Sequence, residues 1–235
     1  MIREREMLIQ ILRETREKSS VKTEDVNRES KIPKDLANEI LRKLHVEGFL
    51  KLNGEIASVD SGQRLKMAAR AVELGADIER VSRFLNWEEF EEFSTLSFEA
   101  NDFQVKKNFR FTWMKKRWEI DILGLKKPII ISADCKHWRK GWSGAASIKS
   151  VKNQIERTKA LAEASGSGNL RSEIGIEKWE NAYFIPVILS LAPSQHKFYE
   201  KTPIVPILQI RDFLQNVMVY LDEINKFFVL FKSLR

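Results

Sequence analysis

The hydrophobic periodicity of this chain changes once, near residue 100, and that change limits the folds open to it. Before this point apolar residues recur at three-to-four spacing, as at Leu36, Ile40 and Leu44, which predicts helices. After it, apolar runs such as Ile129-Ile130-Ile131 predict strands, and a helical pattern returns only later. The order predicts an α/β protein with a largely helical N-terminal domain and a central mixed sheet in the second domain.

The first 60 residues predict three helices and a hairpin. The helices are expected over residues 2–19 and 23–30 and from Pro33 to a stop at Gly48, with short strands around Asn53-Gly54. This order resembles the winged helix-turn-helix domain. The resemblance implies a module that either targets DNA or docks a protein, and the sequence leaves both roles open.

The remaining elements are expected in two parts, a connecting helix within residues 61–80 and a larger domain over 81–235. A long helix is predicted to open at Asp77 and to bury a stripe made of Val81, Phe84, Trp87, Phe90 and Phe93. Strands are predicted over 105–111, 113–123, 129–136 and 182–189, an apolar run at 204–207, helices over 147–164 and 211–220, and a flexible loop at 165–169.

The positive charge is concentrated in one segment. The chain carries a net charge of +7, yet residues 101–160 alone hold 15 basic and 5 acidic side chains. Such a local field suits a polyanion, and we predict DNA as the partner. The predicted contacts are Lys106, Lys107, Lys115, Lys116, Arg117, Arg139 and Lys140. A solvated basic face without a partner would explain the charge equally well.

Two predicted strands bring acidic residues together. Because alternate residues of a strand share a face, Asp134 and Lys136 point one way and Cys135 the other. An adjacent antiparallel strand ending near Asp121 would place that carboxylate beside Asp134. Carboxylate oxygens are the ligands that Mg²⁺ takes, and a neighbouring lysine can stabilise a phosphate. The pattern therefore predicts a magnesium site for phosphodiester hydrolysis.

These residues, with their neighbours, resemble the PD-(D/E)xK nuclease superfamily, the restriction-endonuclease-like fold. Glu119-Ile120-Asp121 is similar to its second motif and Asp134-Cys135-Lys136 to its third. The Phe90-Glu91 pair is similar to its first core helix, with Glu88 as the other possible carboxylate. A helix with Gln154 is similar to that of archaeal Holliday-junction resolvases and Mrr-like restriction enzymes.

The resemblance implies a Mg²⁺-dependent DNA endonuclease, with Mn²⁺ as a substitute, that leaves 5′-phosphate and 3′-hydroxyl ends. Glu91, Asp121, Asp134 and the backbone carbonyl of Cys135 would hold the metal. Lys136 would orient the attacking water or stabilise the phosphate, and Gln154 would assist in positioning.

Three alternatives remain open at this stage. Asp134 and Lys136 could form a surface salt bridge at the end of an edge strand. The domain could be a nuclease fold without activity, or the protein could be a non-catalytic DNA-binding regulator. The absence of a disulfide pair or an apolar run of spanning length predicts a soluble, cytoplasmic protein. Cutting two strands would require two sites, which predicts a homodimer, with residues 227–231 as the interface or as a last buried strand.

Overall fold

A computed structural model describes residues 2–136, 144–168, 170–191, 194 and 196–231. The chain divides into two compact units, an N-terminal unit up to Phe93 and a C-terminal unit from Ser94 onward. The division falls inside a helix, whereas the sequence predicts a domain boundary near residue 80.

The N-terminal unit is mostly helical. Its elements are α1 (Ile2–Glu14), β1 (Ser20–Lys22), α2 (Thr23–Ser30), α3 (Lys34–Val46), β2 (Lys51–Asn53), β3 (Ile56–Ser58), α4 (Ser61–Glu73), α5 (Ile78–Ser82) and the start of α6 (Trp87–Glu99). The three strands form an antiparallel sheet in the order β1-β3-β2. The predicted second and third helices, the hairpin and the connecting helix are all present.

Two predictions for this unit are wrong. The first helix ends at Glu14 instead of residue 19, because residues 20–22 pair with β3 as an additional strand. The helix predicted to open at Asp77 is two helices. Asn86 begins the second, accepting a hydrogen bond from Glu89 N (2.8 Å) while its own N–H donates to Glu89 Oε2 (2.8 Å). The break leaves Trp87 exposed instead of buried with Val81 and Phe90.

A buried ion pair lies at the centre of the N-terminal unit. Arg64 on α4 pairs with Glu89 on α6, and their side chains are 4% and 1% exposed. The guanidinium also donates to the carbonyl oxygens of Leu12 (2.9 Å) and Phe84 (2.6 Å) and to the Thr15 hydroxyl. Since a buried charge is costly unless it is paired and fully hydrogen-bonded, this network connects α1, α4 and α6 through satisfied polar groups.

The C-terminal unit contains a mixed sheet, as predicted, and the described residues supply seven strands to it. Its elements after α6 are β4 (Gln104–Trp113), β5 (Lys116–Lys126), β6 (Ile129–Lys136), α7 (Gly144–Gly166), α8 (Arg171–Ile174), β7 (Asn181–Ser190), β8 (Phe198–Tyr199), β9 (Thr202–Pro206), a 3₁₀ turn (Ile207–Gln209), α9 (Ile210–Asn216) and β10 (Phe227–Leu230). The strand order is β4-β5-β6-β7-β9-β8, and β10 pairs with β7. Pairing is parallel for β6–β7 and β7–β9 and antiparallel elsewhere.

Strand β6 is central, between β5 and β7, and its residues from Ile129 to Cys135 are buried. A strand covered on both faces is expected to be apolar along its length, which fits the Ile129–Ile131 run. On the neighbouring strand, a Cβ at Gly124 would collide with the Phe98 ring. Glycine is therefore required there for the C-terminal half of α6 to pack on β5.

Several boundaries differ from the sequence prediction. Trp113 belongs to β4, and Met114-Lys115 forms the turn to β5, which continues through Gly124 to Lys126. The predicted start of the loop at 165–169 is wrong, because helix α7 extends to Gly166. The buried Ser165 hydroxyl donates a hydrogen bond to the Leu161 carbonyl oxygen within this helix (2.7 Å). Asn169 lies outside the described residues.

At the C-terminal end, the apolar run at 204–207 is divided between β9, which ends at Pro206, and the 3₁₀ turn that begins at Ile207. The last helix ends at Asn216 instead of near residue 220. Among the described helices, none combines the length and apolar character that crossing a membrane requires.

Candidate functional site

The two predicted aspartates occupy facing positions on β5 and β6. The antiparallel register pairs Leu123 with Ser132 and Ile122 with Ala133, so the next position outward sets Asp121 opposite Asp134. The backbone N–H of Cys135 donates to Asp121 Oδ2 (2.8 Å), which ties the side chain of one strand to the end of the other. The strand geometry that the sequence predicts at this place is therefore confirmed.

Asp134 lies at the centre of a buried cluster of charges. It is 3% exposed. Its Oδ2 contacts the Lys136 ammonium (2.8 Å), and its Oδ1 contacts the Arg157 guanidinium (2.8 Å). The side chains of Lys136 and Arg157 are 32% and 22% exposed, so the cations connect the buried carboxylate to solvent. Because β6 is a central strand, the alternative of a surface salt bridge on an edge strand is excluded.

Helix α7 contributes two polar side chains to this cluster. The fully buried Gln154 donates through Nε2 to the Ser132 carbonyl oxygen (2.6 Å) and Oγ (3.0 Å). Its Oε1 accepts a hydrogen bond from the Arg157 guanidinium (3.0 Å). The amide thus connects α7 to β6 and fixes the arginine that holds Asp134. This geometry makes Gln154 a positioning residue that does not face the solvent.

Asp121 has an unusual environment. Burial raises the pKa of this carboxyl above its ordinary value, against the opposing effect of the Cys135 N–H, and the nearby Asp134 charge adds to the rise. The β4–β5 ladder runs from Gln104 to Trp113 but has no pair at Asn108, the position opposite Asp121. Asn108 has a φ of 49°, in the left-handed region. Local distortion of this kind often occurs next to functional groups.

The donor set at this place consists of two carboxylates, and both oxygens of one of them are already paired with cations. Mg²⁺ is commonly held by one or two carboxylates, with water and substrate phosphate completing its six ligands. Asp121 and Asp134 supply two carboxylates from adjacent strands. Within the ranges described, no group of three or more acidic, histidine or cysteine side chains converges. A site here would therefore need phosphate or water for most of its ligands.

The other predicted ligands stay predictions. Glu91 is half-buried and Glu88 is exposed, both on the part of α6 that belongs to the N-terminal unit. The backbone carbonyl of Cys135 belongs to a buried strand end.

Most of the predicted basic contacts lie on the β4–β5 hairpin. Lys107, Lys115, Lys116 and Arg117 are exposed. Lys106 is half-buried and donates to the Glu173 carbonyl oxygen (2.8 Å), so its charge is partly committed within the chain. Arg139 and Lys140 lie outside the described residues. The hairpin therefore carries four exposed cations of the predicted surface.

Two residues of this site do not follow from the sequence pattern. Arg157 stands in the Gln154-Ile155-Glu156-Arg157 stretch, and the three-residue spacing that places it on one helical face with Gln154 is the signal that could have identified it. Asn108 had no such signal, since only the structure shows its left-handed backbone.

Comparisons with known proteins find only distant similarities. No family model matches the chain. It is 27% identical over 143 residues to an uncharacterised protein from Archaeoglobus fulgidus, a match that covers 59% of this chain and 97% of the relative. It is also similar to the crystal structure of protein VC1899 from Vibrio cholerae, with a TM-score of 0.40 and 12% identity. That match covers 94% of this chain, which spans about half (51%) of the Vibrio chain.

Proposed function

We propose that this protein is a Mg²⁺-dependent DNA endonuclease of the PD-(D/E)xK type. The observation that carries the proposal is the meeting of Asp121 on β5 with Asp134 and Lys136 near the end of β6, beside a helix that supplies Gln154. One buried and one half-buried carboxylate with a cation beside them suit the hydrolysis of a phosphodiester.

Each residue has a distinct part in this proposal. Asp121 and Asp134 would hold the metal, with the Cys135 carbonyl as a further predicted ligand. When bound, the metal lowers the pKa of a water molecule and so supplies the nucleophile. Lys136, held 2.8 Å from Asp134 Oδ2 and partly open to solvent, orients that water or stabilises the phosphate. Gln154 holds helix α7 against strand β6 through its hydrogen bonds to Ser132.

Cleavage of a labelled DNA panel tests the reaction. The wild-type protein should cut with Mg²⁺ or Mn²⁺ and not with EDTA, and Asp134→Ala and Lys136→Ala should each abolish cutting while DNA affinity is kept. Glu119→Gln is a matched control, because this exposed carboxylate two residues from Asp121 pairs with Arg110 instead (3.1 Å). Full activity in EDTA, or in either active-site variant, would contradict the proposal.

DNA binding would use the exposed cations of the β4–β5 hairpin. Affinity should fall by about 0.9 log unit per log unit of salt for each duplex phosphate neutralised. Reversing the charge of Lys107 should reduce that slope by about 1. The same change at Lys106 should have a smaller effect, since this ammonium already donates to Glu173. A flat salt dependence would place DNA on another surface.

A non-catalytic DNA-binding protein is the second candidate. The observation that favours it is the pairing of both Asp134 oxygens with cations, with no third acidic side chain converging in the parts of the chain described. Such a protein would bind DNA with the salt dependence given above, but would not cleave DNA with any metal. The cleavage panel therefore separates the two candidates.

The N-terminal unit is proposed to be a winged helix that targets DNA or docks a partner protein. A polar groove of about 460 Å³ between its helices and hairpin is lined by Lys34 and Arg42 but also by Glu24 and Glu55. Lys43 is already engaged by Glu4 (2.8 Å). If the unit targets DNA, the double variant Lys34→Glu/Arg42→Glu should lose affinity. Unchanged affinity would favour protein docking.

A homodimer is proposed to cut both strands of a duplex. On β10 the side chains alternate, and Phe228 and Leu230 are 54% and 70% exposed while Phe227 and Val229 pack on the core. These exposed apolar side chains form the surface that a second copy would cover. Sedimentation should show a dimer at micromolar concentration, and Phe228→Lys should yield a monomer. A monomeric wild-type protein, with and without DNA, would contradict this.

A further inference from the structure

The amino acids in the turn between β4 and β5 are unusual for the backbone conformation of that turn. Trp113 pairs with Lys116, so the loop consists of Met114 and Lys115 alone, with φ values of 50° and 63°. A two-residue turn with both residues in the left-handed region strongly favours Asn-Gly, because a side chain with a Cβ is strained there. The sequence thus places two unfavourable residues at this apex.

The apex exposes an apolar side chain among cations. Met114 is 78% exposed. Lys115, Lys116 and Arg117 follow it and are all exposed. The Lys116 ammonium lies 3.7 Å from the centre of the Trp118 ring, which holds this charge near the apex. A flexible, polarisable thioether surrounded by positive charge is suited to contact the face of a base whose phosphates are bound on either side.

The hairpin is held firmly below its apex. Phe111 and Trp118 stack with ring centres 6.5 Å apart, and both pack on the apolar core under α7. The Trp113 indole N–H donates to Glu163 on α7 (3.1 Å). Ordered aromatic packing fixes the direction of the apex, so that a contact made there does not require the hairpin to be ordered on binding.

We propose that the apex of this hairpin binds an unstacked base of DNA, with Met114 against the base and Lys115 and Arg117 on the flanking phosphates. The inference rests on the proposed DNA binding and adds the feature of DNA that is recognised. Lys116 lies about 17 Å along β5 from Asp121, at roughly 3.3 Å per residue. Along a duplex that followed β5, this length would span about five base-pair steps.

Fluorescence anisotropy in EDTA, with three labelled DNAs, tests the inference. These are a single strand, a duplex with a central mismatch and the fully paired duplex. Met114→Ala should weaken binding of the single strand, the mismatched duplex or both by about tenfold, a loss at the lower end of that for a base stacked on an aromatic side chain. Binding of the paired duplex should change by less than about twofold. Which DNA responds identifies the source of the unstacked base.

Met218→Ala is the matched control, because Met218 is a second exposed methionine of the same unit, 54% exposed. It should leave all three affinities unchanged. Equal losses on the three DNAs, or none, would overturn the inference while leaving the proposed nuclease intact. A wild-type protein that binds no DNA would overturn the proposed function together with it.

A turn exchange gives a second, independent test. Met114→Asn/Lys115→Gly should raise the Tm by about 2–4 °C by relieving the unfavourable turn, yet weaken binding of the responsive DNA by at least about tenfold. The β8–β9 turn, Glu200-Lys201, has φ values of 48° and 59° but no exposed methionine. Glu200→Asn/Lys201→Gly should raise the Tm similarly without changing affinity. An Asn-Gly hairpin that keeps full affinity would overturn the inference.

Discussion

Each of the two units contains a buried acid–base pair, and the pairs differ in how completely they are enclosed. In the N-terminal unit, Arg64 and Glu89 are almost fully buried, and further hydrogen bonds come from the backbone and a threonine. In the C-terminal unit, Asp134 is equally buried, but its partners Lys136 and Arg157 are partly exposed. A second carboxylate, Asp121, stands beside it with a raised pKa.

The difference distinguishes a structural role of a buried charge from a candidate functional role. The Arg64–Glu89 network joins helices and has no route to solvent or to a ligand, which is the arrangement of a structural pair. The Asp134 cluster places two carboxylates and two cations where phosphate and water can reach the cations. Perturbed and partly accessible groups of this kind are typical of functional sites, although structural networks also perturb pKa values.

The largest expected effect concerns the structural pair. Glu89→Ala should lower the free energy of unfolding by about 3–5 kcal/mol, because it leaves the buried Arg64 charge without its carboxylate partner. Urea denaturation measures the change. Arg28→Ala is the control, since this exposed side chain pairs with the partly exposed Asp25 (2.9 Å) and should cost about 0–1 kcal/mol. Equal losses from the two variants would show that the buried network has no special structural role.

A smaller effect is expected at Arg157. Arg157→Ala should reduce cleavage about 10–100-fold, as loss of a residue that orients a metal ligand usually does, and should lower metal affinity in parallel. Arg157→Lys should restore part of both, since an ammonium can still reach Asp134 but cannot bridge to Gln154 in the same way. Metal titration and cleavage rates are the measurements. If the alanine variant keeps the metal affinity of the wild type, Arg157 does not belong to the metal site.

The smallest effect is a change of stability at Asp121. Because its pKa is raised, the folded state binds this proton more tightly than the unfolded state. Stability is then lost as pH rises from the ordinary value of 3.8 through the raised one, and the loss persists at neutral pH. In EDTA, Asp121→Asn should therefore show a modestly higher Tm than wild type at pH 7.

This advantage of Asp121→Asn should shrink as pH falls toward the ordinary aspartate pKa, where the wild-type carboxyl is protonated in both states. Glu119→Gln, at an exposed ion pair with Arg110, should show no such trend. Thermal melts over a pH series provide the comparison. A lower Tm for Asp121→Asn at pH 7 would contradict the assigned cause of the shift.

Local pattern predicted much of the C-terminal unit. The apolar run of β6 and the alternation of Asp134 and Lys136 were sufficient to place both residues on one face. The pairing of Asp121 with Asp134 followed from a short connection between two strands. These features depend on neighbours in sequence, which is why one sequence could reveal them.

Features that depend on distant residues could not be predicted. The break before α6 is the exception, because its cause is local. Asn86 and Glu89 cap the helix from three residues apart, but the apolar pattern around them is that of one continuous helical stripe. The short strand β1 exists only because β3 is available to pair with it. The contact of Arg157 with Asp134 joins residues 23 positions apart, and the left-handed Asn108 is set by the tertiary structure around it.

Metal binding by the two aspartates is the central claim, and titration of Mn²⁺ followed by electron paramagnetic resonance tests it most directly. The wild-type protein, with a short DNA duplex present, should bind Mn²⁺ and release it to competing Mg²⁺. Asp121→Asn and Asp134→Asn should each lose this binding while their circular dichroism stays unchanged, and Glu119→Gln should retain it. Wild-type protein that binds no Mn²⁺ beside DNA, or aspartate variants that bind it as tightly as wild type, would contradict the claim.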